Sequence, residues 1–172
     1  MMINIIIAIL FGGVLGVFTM ALVCANGRTE ERSKIRVMLD EGAYAPESAH
    51  DVDAGYDLRT PSDVTVLAGG CATIDTGVHV AIPKGYVGFL KSKSGLNVKS
   101  HLTGEGVIDS GYTGSIFVKL YHNAPDGEDK HFKKGDKIIQ IVLLPIFKPD
   151  IKVVDELETT ERGEGGFGST GR

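Results

Sequence analysis

The chain has 172 residues, enough for one sizeable core and too few for two domains of ordinary size. Its net charge of −4, pI near 5.7 and lack of any Lys/Arg block argue against a nucleic-acid surface, while leaving room for a local pocket that takes a small anion. Two cysteines, Cys24 and Cys71, and five scattered histidines make neither a disulfide framework nor a zinc site, and each histidine reads as ordinary surface or core.

Residues 1–27 carry no charged side chain, and 5–25 form an almost unbroken apolar run of 21 residues. That matches the roughly 20 residues needed to cross a hydrocarbon core as a helix, so one N-terminal transmembrane helix is predicted. Arg28, Arg32 and Lys34 follow the run, and the positive-inside bias then places the rest of the chain in the cytoplasm as a membrane-anchored domain. Gly12 and Gly16 have the spacing that lets two helices approach closely. A cleaved signal peptide would want Lys or Arg ahead of the run, and none is there. A start near Ile35 is the remaining alternative, and it would leave a soluble cytoplasmic protein.

After a polar linker at 28–34, the chain reads as short extended segments at 35–39, 64–68, 72–82, 86–91, 115–121 and 138–146, rich in β-branched and aromatic residues. Alternation at 78–82 and 116–120 predicts one buried face each. Turn chemistry separates them: Pro-Ser-Asp at 61–63, Pro-Lys-Gly at 83–85, Pro-Asp-Gly at 125–127 and Lys-Lys-Gly-Asp at 133–136. Beyond the N-terminal run, the one helical hint is a weak one at 94–98. The domain, 35–155, is therefore predicted to be an all-β sandwich or barrel, ending in a flexible Gly-rich tail at 156–172. No GxGxxG or Walker loop is present, so phosphate chemistry would need another scaffold.

Five segments break the strand-like pattern with polar groups. In DAGYDLRT (53–60), Asp57 follows a Gly-Tyr pair. In KSKSGL (91–96), Lys93, Ser94 and Gly95 offer a cation, a hydroxyl and open backbone, a set able to seat an anion. In GVIDSGYTG (106–114), Asp109 stands three residues before Tyr112 at a glycine-flanked turn. In KKGDKIIQIVLLPI (133–146), Gln140 is the lone amide in an apolar run. The tail RGEGGFGSTG (162–171) places Phe167, Arg162, Ser169 and Thr170 among five glycines. Such a tail cannot build its own core, yet it carries a ring to stack on a base, and a cation, hydroxyls and N–H groups for phosphates. Each segment alone fits ordinary turn, cap or linker chemistry.

In this order the five segments resemble the five motifs of the trimeric dUTP diphosphatases (dUTPases), across about residues 35–171. The resemblance implies a jelly-roll-like β-clip fold, a homotrimer with shared active sites, Mg²⁺ as cofactor and dUTP as substrate, split to dUMP and pyrophosphate. It implies that Asp109 orients and activates the attacking water, and that Tyr112 packs on deoxyribose and refuses a 2′-hydroxyl. Backbone around 103–106, with Gly106 and Ile108, would read uracil. Lys93, Ser94, Gly95 and Gln140 would contact phosphates, and Asp57 would hold Mg²⁺ through water. Arg162, Gly168, Ser169 and Thr170 would close on the phosphates while Phe167 stacks on the base. Three positions depart from the family pattern: Lys93 and Lys137 stand where arginine is frequent, and His122 where asparagine commonly ends the third-motif strand. Two rival readings are a dCTP deaminase and a membrane-tethered regulatory protein that binds dUTP without turnover. The deaminase needs a glutamate where this chain has Lys119, and a cation cannot serve as that base.

Overall fold

A computed structural model describes residues 34–163 and Gly165. The strands in chain order are β1 (Arg36–Leu39), β2 (Gly55–Arg59), β3 (Val64–Val66), β4 (Cys71–Asp75), β5 (Val78–Ala81) and β6 (Tyr86–Lys91). Among the described residues one short helix, α1 (Ser94–Ser100), precedes β7 (Leu102–Thr103), β8 (Glu105–Ile108), β9 (Phe117–His122), β10 (Lys130–Phe132) and β11 (Lys137–Pro145). All pairings are antiparallel, in four small sheets ordered β1-β5, β10-β3, β2-β11-β6-β8 and β4-β9-β7. The predicted all-β class is therefore what the described residues adopt.

Alternation sets which side chains point inward. Along β9, Val118, Leu120 and His122 are buried while Phe117, Lys119 and Tyr121 face out. Along β5, Val78 and Val80 are the buried members. With Leu58, Val66, Leu90, Leu102, Phe132, Ile138 and Ile139 they form one continuous core.

The segment 72–82, read from its pattern as one strand, is two strands in different sheets. Thr76 and Gly77 make the break. The buried Thr76 hydroxyl donates to the Ile116 carbonyl (2.8 Å) and accepts from Val78 N–H (3.2 Å). Gly77 takes φ +64°, a conformation that favours glycine. β4 then pairs with β9, and β5 with β1. The helical hint at 94–98 becomes α1, a seven-residue helix with no buried side chain, which explains its faint sequence signature. Ser92 pins this excursion to its far end: its hydroxyl donates to the Gly104 carbonyl (3.1 Å) and accepts from Gly104 N–H (2.8 Å).

No helix among the described residues is long and apolar enough to cross a membrane. The expected span at 5–25 lies outside the described residues, as do Phe167, Gly168, Ser169 and Thr170. Regular structure ends at Pro145, short of the expected boundary at 155. Beyond it, Phe147, Ile151, Val153 and Leu157 stand almost wholly in solvent within the single chain, and every residue of β1 is exposed.

Leu120 is 1% exposed at the centre of this core. Leu120→Ala is expected to cost about 2–5 kcal/mol of stability through lost burial and the cavity it leaves. The measurement is a fall in the urea midpoint at unchanged slope.

Candidate active site

One cavity, of about 580 Å³, is lined by Asp57, Lys93, Ser94, Gly95, Lys137 and Gln140, with His50 and Asp53 at its edge. Asp57 lies in mid-strand on β2, 7% exposed, not at a turn or cap. Its main chain is held by Glu47 on one side (Asp57 N–H to Glu47 carbonyl, 2.7 Å) and is opposite Gln140 on the other. An isolated carboxylate so placed would be costly, and two lysines meet it. Lys93 Nζ donates to Oδ1, and Lys137 Nζ donates to Oδ2 at 2.8 Å. Burial alone would raise the Asp57 pKa; hydrogen bonds from Lys137 and Lys93, with their charges, outweigh it and hold the carboxyl below its ordinary range.

A local irregularity in β11 makes this grouping possible. Residues 137 and 140 would face opposite sides of a regular strand. The register shifts between Lys137 and Ile139, so Lys137 opposes Arg59 and Gln140 opposes Asp57. Both polar side chains then reach the same cavity, and Ile138 and Ile139 are both buried. Gly55 leaves room for the amide: a Cβ there would lie 2.8 Å from Gln140 Oε1 and 3.1 Å from the Ile141 carbonyl.

A second, smaller cavity of about 220 Å³ is lined by Val107, Ile108, Asp109, Tyr112, Ser115 and Phe117. Asp109 starts a tight turn after β8, its carbonyl accepting from Gly111 N–H (3.0 Å) and Tyr112 N–H (3.1 Å). The Tyr112 ring folds back so that its hydroxyl donates to the Ser115 carbonyl (2.9 Å), and Ser115 Oγ donates to Asp75. Gly114 lets the Tyr112 ring lie close, since a Cβ there would lie 2.4 Å from Tyr112 Oη. Gly106 sits in β8 opposite Leu90.

The predicted residues therefore fall into two groups that share no lining residue: Asp57, Lys93, Ser94, Gly95 and Gln140 in one cavity, Ile108, Asp109 and Tyr112 in the other. Arg162 is apart from both; its Nε donates to the Gly165 carbonyl at 2.9 Å. Sequence reasoning noted Lys137 as a departure and missed it as a cavity residue, because its partner Asp57 is remote in the chain. His122 is the third departure from the family pattern, and its sequence context assigns it no role. His122 is buried, with Nδ1 accepting from Ala124 N–H (3.3 Å) and Nε2 donating to the Glu128 carbonyl (3.1 Å), so it organises the turn where asparagine was expected.

Among the described residues no three His, Cys, Asp or Glu side chains converge on a cation site. Two carboxylates, Asp53 and Asp57, line the larger cavity, and Asp57 is the one bonded to Lys93 and Lys137. One carboxylate with water and substrate phosphates is a normal Mg²⁺ environment, so these residues fit that ion as a partner of a bound triphosphate.

The sequence profile of a family described as dUTPase matches residues 42–171. A deoxyuridine 5'-triphosphate nucleotidohydrolase of Cutibacterium acnes is 43% identical over 129 residues, covering 73% of this chain and 84% of the relative. The Rattus norvegicus protein of the same name is 40% identical over 153 residues, covering 87% of this chain and 73% of the relative. Among solved structures, a Staphylococcus bacteriophage 80alpha dUTPase with dUPNHPP superposes with a TM-score of 0.74 at 34% identity, covering 81% of this chain and 99% of that one. A point mutant of the dUTPase from phage phi11 of S. aureus, described with a structural Mg(II) ion, has a TM-score of 0.66 at 34% identity over 72% of this chain and 97% of that one.

The double variant Lys93→Met/Lys137→Met leaves Asp57 with neither partner, and is expected to lose about 3–5 kcal/mol in urea unfolding at neutral pH. Because the Asp57 pKa is lowered by folding, its contribution is present above its ordinary value of 3.8 and lost as pH falls through the depressed one. The deficit of the double variant should therefore shrink in acid. Gly114→Ala is expected to push Tyr112 off its seat, read as a changed Tyr112 environment by NMR with the core signals unmoved.

Proposed function

The chain belongs to the dUTPase family and is a dUTP diphosphatase; we propose that it works as a homotrimer in which the two cavities, one from each of two copies, meet over a single dUTP. The observation that carries this reading is the separation of the phosphate-type and carboxylate-type residues within one chain. The bare apolar residues of β1 and of the segment after β11 supply the surface that association would cover.

In this reading the triphosphate lies against Lys93, Ser94, Gly95, Lys137 and Gln140, which supply positive charge and hydrogen-bond donors. Lysine keeps the charge of the arginine frequent in the family but gives up its two-pronged geometry, so these contacts rest on point charge. Deoxyribose stacks on Tyr112 and uracil meets the main chain near Gly106 and Ile108. Asp109 orients a water molecule and accepts its proton as the oxygen attacks the α-phosphorus, breaking the bond to pyrophosphate and leaving dUMP. Asp57 would hold Mg²⁺ through water, and the ion's chemistry is to spread the charge that builds on the triphosphate. Arg162, Phe167, Gly168, Ser169 and Thr170 close over the assembled site as a lid. The deaminase alternative fails at Lys119, whose ammonium lies 5.1 Å from the centre of the Tyr121 ring and cannot act as a base. We further propose that residues 5–25 tether the protein to a membrane, as their length and flanking charge suggest.

Asp109→Asn is expected to lower dUTP turnover by on the order of 10²–10⁴ while dUTP still binds. Pyrophosphate release and equilibrium dialysis measure the two halves of that statement, and unimpaired release refutes the role. Deleting 162–172 should spare folding and assembly and abolish activity. Fractionation of the full-length protein should find dUTP hydrolysis in the membrane pellet; activity wholly in the supernatant removes the tether.

A further inference from the structure

A histidine outside both cavities is built into the turn that carries Tyr112. His79 projects from β5 with its side chain 16% exposed. Its Nδ1 lies 2.8 Å from the Thr113 carbonyl oxygen and its Nε2 3.2 Å from Asp40 Oδ1. A carbonyl and a carboxylate can only accept, so satisfying both requires both ring nitrogens to donate, and that is the imidazolium. Asp40 is itself fixed, its N–H bonded to the Gly77 carbonyl at 2.8 Å. The positive ring thus bridges the residue after β1 to the Thr113–Gly114 peptide, one residue beyond Tyr112.

The charges facing His79 come from several elements. Asp40 follows β1, Asp75 ends β4, and Arg36 of β1 lines the same shallow groove as His79 and Thr113. Asp75 also binds Ser115 on the far side of the turn. Residues 112–115 are therefore strapped at three points: Thr113 to His79, Tyr112 to Ser115, and Ser115 to Asp75.

We propose that His79, as a doubly donating imidazolium, is a positioning residue that holds the Tyr112 turn and so sets how strictly the site refuses a ribose 2′-hydroxyl. The inference rests on the reading that Tyr112 meets the sugar. Its surroundings favour the charged ring: the Thr113 carbonyl first, then the Asp40 carboxylate, raise the His79 pKa above its ordinary 6.5 against an opposing effect of burial. With a folded-state pKa above the unfolded one, the clamp is complete below pH 6.5 and is lost as pH rises through the raised value.

The test compares kcat/KM for dUTP and UTP across pH in the wild-type full chain, His79→Gln and Tyr112→Ala. The ratio cancels pH effects common to both substrates. Preference for dUTP should fall in the wild type as His79 deprotonates. In His79→Gln it should be about tenfold lower in acid, as for loss of one charged hydrogen bond, and flat with pH. Amide exchange at 109–115 should be faster in His79→Gln, with exchange elsewhere unchanged. A wild-type His79 NMR titration at or below the ordinary 6.5, or exchange at 109–115 equal to wild type in His79→Gln, overturns the inference. If Tyr112→Ala keeps the wild-type ratio, the sugar reading fails instead, and the exchange and titration results alone decide the role of His79.

Discussion

A carboxylate taken out of water in mid-strand is the constraint around which the larger of the two site cavities is organised. Asp57 can remain charged on β2 because two ammonium groups reach it, one from the residue before α1 and one from the start of β11. That requirement couples three parts of the chain that the hydrophobic core alone would not hold in this relation. The register shift in β11 is what delivers Lys137 and Gln140 to the same side, and the absent side chain at Gly55 is what lets Gln140 lie close. The pairing also leaves the lysines with a competing role, since charge engaged on Asp57 is charge that an incoming anion must share.

The smaller cavity is held differently. Its acidic residue opens a turn closed by main-chain hydrogen bonds, and the aromatic beside it rests on a glycine and a carbonyl. Nothing buried and charged supports Asp109 directly. Support arrives from behind, through Ser115 and Asp75 and through Thr113 and His79, so the order of this turn is a matter of polar contacts at the surface. Such contacts are the kind that solvent and pH adjust most readily.

How much of this could be seen in the sequence follows from the range of each interaction. The strands β5, β9 and β11 are legible because their apolar pattern is local, and the five segments with chemistry were legible as residue types. The strands β7 and β10 are two and three residues long and too short to carry a period. The break at Thr76 and Gly77 was hidden because the apolar residues on either side of it, Ala72 and Ile74 before and Val78, Val80 and Ile82 after, keep the same phase. α1 was faint because none of its side chains is fully buried and Leu96 packs against the core only in part. The burial of Asp57, the reach of Lys137 and the double engagement of His79 depend on partners far along the chain and on a bulge that reverses side-chain parity. A strict period of two assigns residues 137 and 140 to opposite faces, and no composition signal corrects that.

The proposed division of one chemical task between cavities of neighbouring copies has a genetic corollary. A lesion confined to the Asp57 cavity and a lesion confined to the Asp109 cavity damage different faces of the same polypeptide. When two such defective polypeptides co-assemble, some of the junctions between them bring an intact half from each parent together. Mixed oligomers of two inactive alleles would then recover part of the wild-type rate, and mixtures of either allele with itself would recover none.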